Sequence, residues 1–171
     1  MNNIVSNILR CVIALLLQIF ICNYIHLFGF LTPAVYLFAL FLLPSDIPKS
    51  AQYVIAFVMG FIVDMFTHTL GVNAAASIIV MILRPYIARL FSSRKTADTN
   101  DRPVPGVKDF QWLLGFTFLL TLAHQFTVVM CETFSFHHFG HTLLVIIGNT
   151  VLSVIVILSI EYLFYAPTKT T

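Results

Sequence analysis

The sequence predicts an all-α polytopic membrane protein with six transmembrane helices and both termini on one side of the bilayer. Three observations carry this prediction. The chain is 59% hydrophobic and only 9% charged over 171 residues, with a mean hydropathy of +0.95, whereas a soluble domain carries about a quarter charged residues. Its apolar residues fall in long continuous runs, without the alternation of a membrane β-barrel. Its basic residues gather on alternate connections between those runs, as the positive-inside rule requires. A small soluble domain must turn most of its surface to water, so core burial alone does not explain such a composition.

The runs are read against the roughly 20 residues that a helix needs to cross the hydrocarbon core. Spans are expected near 8–28, 31–44, 51–69, 73–91, 110–131 and 142–165. The first follows "MNNIVSN" and Arg10 and has no small-x-small cleavage site. It is therefore read as an uncleaved span rather than a removed signal. The second, "LTPAVYLFALFLLP", is the weakest, because Pro33 and Pro44 bracket its apolar centre. About 11 helical residues rise only some 16 Å, so this run borrows length, tilts or re-enters, and five spans is the fallback count.

The third and fourth spans are separated only by a tight turn at Gly71 and form an antiparallel hairpin. The segment 92–109, "SSRKTADTNDRPVPGVKD", is a polar connector rich in mixed charge and proline, and the last two spans follow it. With six spans, Arg10, Lys49, Arg94, Lys95, Arg102, Lys108 and Lys169 share one side, with Arg89 at its edge. The other side has no Lys or Arg. That side assignment makes both termini and the connector cytoplasmic. A five-span count breaks the partition.

The polar residues within the spans are the candidate site. In "GFIVDMFTHTLG" (60–71), Asp64 and His68 continue a stripe begun by Ala56 and Gly60, at four-residue spacing on one helix face. On the next helix Asn73, Ser77, Arg84 and Ala88 form a second stripe, with "AAAS" adding small side chains and Pro85 following the arginine. Small residues let two helices approach closely, so the stripes are expected to meet. Reflection about Gly71 sets Asp64 within reach of Asn73 and Ser77, and leaves Arg84 to snorkel toward the cytoplasmic interface.

An intramembrane carboxylate is a functional candidate, either as an ion site or as a hydrogen-bond anchor. The only other acid in a span is Glu161, near the far end of the last helix. Translocation normally needs more than one acid along a path, so the anchor is favoured. That reading expects Asp64→Asn to be largely tolerated and Asp64→Ala to be damaging.

The loop "CETFSFHHFGH" offers His137 and His141 at the i, i+4 spacing that chelates a metal on a helix. It lacks the glutamate of a zincin motif, and Gly140 argues against a helix there, so a metal site is the weaker reading. His26 and His124 sit in apolar spans and are expected to be buried, hydrogen-bonded groups. Cys11 and Cys22 lie on one helix about 16 Å apart, beyond bridging distance. No phosphate loop or nucleophile–base pair appears. No catalytic residue, metal or cofactor is assigned, and the protein is expected not to be an enzyme.

The chain resembles the rod shape-determining protein MreD family in size, in six spans with both ends inside, and in "FVMGFIVDMFTHTLGVNAAASIIVMILRPYI". Within that segment Gly60, Asp64 and Gly71, and the "RPY" at Arg84–Tyr86, are the matching features. The topology covers nearly the whole chain and the specific pattern about 30 residues.

The resemblance implies a non-enzymatic subunit of the bacterial cell-elongation machinery in the cytoplasmic membrane. Its implied partners are the single-span protein MreC and, indirectly, MreB filaments and the peptidoglycan polymerase and transpeptidase. A second copy of the chain and membrane lipids are further partners, and nucleic acid is not expected. The family is also similar in fold to the S-components of energy-coupling vitamin transporters, so a small-molecule-binding subunit is the alternative. Against it, "CVIALLLQIFIC" offers only Ala14 where S-components carry alanine-rich docking positions. Two of the three outer loops are also very short.

Overall fold

The structure is a computed structural model that describes residues 3–24, 31–44, 46–91, 110–133 and 139–165. Among these residues it is all-helical. The elements are α1 (Asn3–Phe20), a 3-10 turn (Cys22–Tyr24), α2 (Leu37–Phe41), α3 (Lys49–Thr67), α4 (Val72–Phe91), α5 (Phe110–Thr133) and α6 (Phe139–Tyr165). Among the described residues, four helices are long and apolar enough to cross a membrane: α3, α4, α5 and, over Gly140–Leu163, α6. In α1 the apolar stretch is shorter, Asn7–Phe20.

Consecutive helices pack side by side, α3 on α4, α4 on α5 and α5 on α6, while α1 leans on α3 and α2. Burial departs from that of a soluble protein: large apolar side chains face outward, and the otherwise apolar core also holds polar groups. Val54, Met65, Phe66, Leu90, Ile155 and Leu163 are all exposed, whereas Gln18, Asp64, Ser77, Arg84, His124, Ser153 and Glu161 are buried. A surface of large apolar side chains around a polar-containing interior is what a lipid solvent selects.

The largest departure from expectation is the second apolar run. Only Leu37–Phe41 is helical, yet every residue from Pro33 to Pro44 is buried. Non-helical backbone is tolerated at membrane depth only where protein satisfies its polar groups, and here helix side chains supply those partners. The Gln18 Oε1 accepts the amides of Val35 at 2.7 Å and Tyr36 at 3.3 Å, while its Nε2 donates to the Pro33 carbonyl at 3.1 Å. From α6, Asn149 Oδ1 accepts Thr32 N–H at 2.9 Å and Ser153 Oγ accepts Ala34 N–H at 2.9 Å. At the other end Gln52 Nε2 donates to the carbonyls of Pro44 and Ile47.

Arg84 closes the set and corrects the expectation of snorkelling. It is 3% exposed, and a terminal guanidinium nitrogen donates to the Leu43 carbonyl at 2.7 Å. Reflection about Gly71 considered only α3 as its neighbour. The structure places the irregular segment against α4, where it presents a free carbonyl that a buried arginine can satisfy.

Candidate functional site

Helix α3 ends at Thr67, and His68 adopts a left-handed conformation with φ 57°. The amides of His68 and Thr69 both return to the Asp64 carbonyl. Gly71, at φ +79°, then turns the chain into α4, a conformation that glycine adopts without the strain of a side chain. The first amides of a helix have no intrahelical acceptor, and here the Asp64 carboxylate receives them. Its Oδ1 accepts Asn73 N–H at 2.9 Å and its Oδ2 accepts Ala74 N–H at 2.9 Å. Asn73 Nδ2 donates to Oδ1 at 3.0 Å, and the Thr69 hydroxyl donates to the same oxygen.

Asp64 thus acts as an N-cap for α4 from across the hairpin. One residue closes α3 with its backbone and opens α4 with its side chain, where negative charge also suits the helix dipole. Close approach makes this reach possible. A β-carbon built on Gly60 would lie 2.5 Å from the Asn73 carbonyl oxygen and 2.6 Å from the Ala74 Cα. Ala56 is fully buried on the same face.

Two sequence expectations change here. His68 does not continue the Ala56–Gly60–Asp64 stripe. The helix stops one residue before it, and its side chain is exposed. Asp64 does reach Asn73, as expected, but its second partner on α4 is the Ala74 amide rather than Ser77, whose hydroxyl donates to the Asn73 carbonyl.

Ser77 donates to the Asn73 carbonyl at 2.7 Å and contacts the Tyr36 hydroxyl at 3.0 Å. Tyr36 in turn lies 2.6 Å from His124 Nε2, with the two rings edge-on. Tyr36, Ser77 and His124 are all buried. This chain of polar groups borders a cavity of about 340 Å³ at the hairpin end of the bundle. Gln18, Asn23, Thr32, Thr69, Asn73, Gln125, Glu132, His141 and Asn149 also line it, with Val63, Val128, Val129 and Val145 as apolar wall.

His141, a weak metal candidate, lies in the first turn of α6. That helix starts at Phe139 despite Gly140. His137 lies outside the described residues, as does His26. No group of three His, Cys, Asp or Glu side chains suited to a metal occurs among the described residues. Cys11, Cys22 and Cys131 are free thiols. Pro85 lies inside α4, one residue past Arg84, where it removes the amide that would bond the Met81 carbonyl. At the opposite end of the bundle Glu161 is completely buried on α6, with no hydrogen-bond partner for either oxygen.

Gln18, Tyr36, Asn149 and Ser153 are functional to the architecture and were not singled out by sequence reasoning. Their signal was available: amide and hydroxyl residues inside apolar spans, in a chain whose second span is flanked by prolines. Compared with known proteins, the chain matches no family model, no curated protein and no solved structure. Its functional reading therefore rests on its residues and their geometry.

Proposed function

We propose that the protein is an MreD-like, non-enzymatic subunit of the bacterial cell-elongation machinery, embedded in the cytoplasmic membrane. In this reading it holds an MreC-like single-span protein and, through it, the peptidoglycan-synthesising enzymes. The observation that supports it most is the use made of Asp64. Both carboxylate oxygens are occupied by donors of the α3–α4 hairpin, in the segment that carries the family resemblance. An acid committed to internal capping is a packing device, which suits a scaffold better than a translocation path.

The same reading takes the chain as crossing six times with both termini cytoplasmic. The irregular 31–44 segment counts as the second crossing. It runs from Asn149, toward the hairpin end, to Gln52 near the start of α3. Apolar side chains cover the outward faces of the long helices, and partner spans dock there by close packing rather than water expulsion.

Depletion in a rod-shaped host, with pull-down from mild detergent, tests the function. Loss of rod shape together with a co-purified MreC-like protein is the expected result. Unchanged shape with a co-purified ATPase module would overturn the scaffold in favour of a transporter subunit. Impermeant thiol labelling of single-cysteine variants at Glu132 and Lys49, with the three native cysteines replaced, tests the topology. Glu132→Cys should label from outside and Lys49→Cys should not.

A further inference from the structure

We infer that the hairpin-end cavity is a binding site for a small amino alcohol or amino sugar: a molecule that carries a protonated amine, one or more hydroxyls and no negative charge. This goes beyond the scaffold reading and stands independently of any partner protein.

The hydrogen-bond chain at the cavity wall fixes one side of the chemistry. The Ser77 hydrogen goes to the Asn73 carbonyl, so the Tyr36 hydroxyl supplies the hydrogen between Tyr36 and Ser77. A phenol has one hydrogen to give. The 2.6 Å contact from His124 Nε2 to Tyr36 therefore carries its hydrogen on the imidazole. In the neutral ring this leaves Nδ1 as an acceptor, and it has no protein partner although His124 is only 1% exposed. On the α1 side, Asn23 Oδ1 is taken by Gln18, and Asn23 Nδ2 is a buried donor without a partner. His124 and Asn23 both line the cavity. Buried polar atoms are almost always paired, so one wall asks for a donor and another for an acceptor.

Charge and size narrow the class. Glu132 lines the cavity, and no Lys or Arg does so among the described residues. Among the described lining residues an anion would meet the Glu132 carboxylate and no permanent cation, His141 being the one titratable nitrogen base beside the buried His124, whereas an ammonium has Glu132 to pair with. The volume of about 340 Å³ sits at the small end of ligand cavities, which run from roughly 300 to 1,000 Å³. The valines on α3, α5 and α6 leave room for a carbon face on the same molecule.

The test is calorimetric titration of the full-length protein in detergent with four probes: ethanolamine, glucosamine, glucose and gluconate. Saturable binding of ethanolamine or glucosamine is expected, with glucose about tenfold weaker than glucosamine for want of the ammonium, and no measurable binding of gluconate. Glu132→Gln, at an exposed position, should abolish the preference for glucosamine over glucose while leaving the melting temperature of the free protein unchanged. His124→Phe removes the unpaired acceptor and should weaken glucosamine about tenfold. If that variant fails to fold, the Glu132→Gln result decides alone. Gluconate binding as well as glucosamine, no saturable binding of any probe, or an amine preference that survives Glu132→Gln would each overturn the inference.

Discussion

Replacing Asp64 separates an internal cap from a titrating site. Four donors converge on two oxygens: Asn73 N–H, Asn73 Nδ2 and the Thr69 hydroxyl on Oδ1, and Ala74 N–H on Oδ2. An asparagine can set its carbonyl at the Oδ1 position and keep three of them. Its NH₂ group must then face the Ala74 amide, donor against donor. One hydrogen bond is lost and a buried helix amide is orphaned, at a cost of about 1–3 kcal/mol. The tolerance expected from sequence is therefore withdrawn: Asp64→Asn is destabilising.

Asp64→Ala removes all four bonds and leaves both the Asn73 and Ala74 amides at the start of α4 without their acceptor, which raises the cost to roughly 3–5 kcal/mol. Equilibrium unfolding in mixed micelles, with the two variants compared side by side, is the assay. The expected order of stability is wild type, then Asn, then Ala. An asparagine variant as stable as wild type but inactive in shape maintenance would refute the capping argument and return Asp64 to a chemical role.

Gly60→Ala should destabilise by about 2 kcal/mol or more. The atoms in its way, the Asn73 carbonyl and the Ala74 Cα, belong to backbone and cannot rotate aside, so the measured stability in detergent should fall and the hairpin should loosen. Gln18→Leu keeps bulk but strips the acceptor from two amides and the donor from the Pro33 carbonyl. A loss of roughly 2–4 kcal/mol is expected, with amide exchange at Val35 and Tyr36 accelerating more than elsewhere. Arg84→Met leaves the Leu43 carbonyl without this donor and should cost about 1–3 kcal/mol. A snorkelling arginine would have made the same change nearly neutral.

The long helices were legible because lipid imposes one solution on a continuous apolar run, an internally hydrogen-bonded helix. The small-residue face of α3 was legible too, since Ala56, Gly60 and Asp64 recur at helical spacing. The second run defeated the same logic. "LTPAVYLFALFLLP" is as apolar as its neighbours, and nothing in its own residues says that Gln18, Asn149 and Ser153, up to 119 positions away, will satisfy its backbone. The details of the hairpin were hidden for a related reason. Asp64 was visible as a polar group facing the next helix, but its pairing depends on where α3 terminates, and a left-handed histidine set that point. The cavity could not be read at all, because its wall is drawn from α1, the 32–36 stretch, the α3–α4 hairpin, α5 and α6, far apart in sequence.

The borrowed backbone partners of the 31–44 segment carry a consequence for biogenesis. Thr32 and Ala34 emerge from the ribosome more than a hundred residues before the α6 side chains that accept their amides. A stretch with exposed backbone groups is not stable in hydrocarbon, so this part of the chain cannot settle during early membrane insertion. Its final placement has to wait for α6, which makes the last helix a checkpoint for the whole fold. A nascent chain stopped before residue 139 would hold the α3–α4 hairpin yet leave its 31–44 segment without these partners, exposed to quality-control proteases.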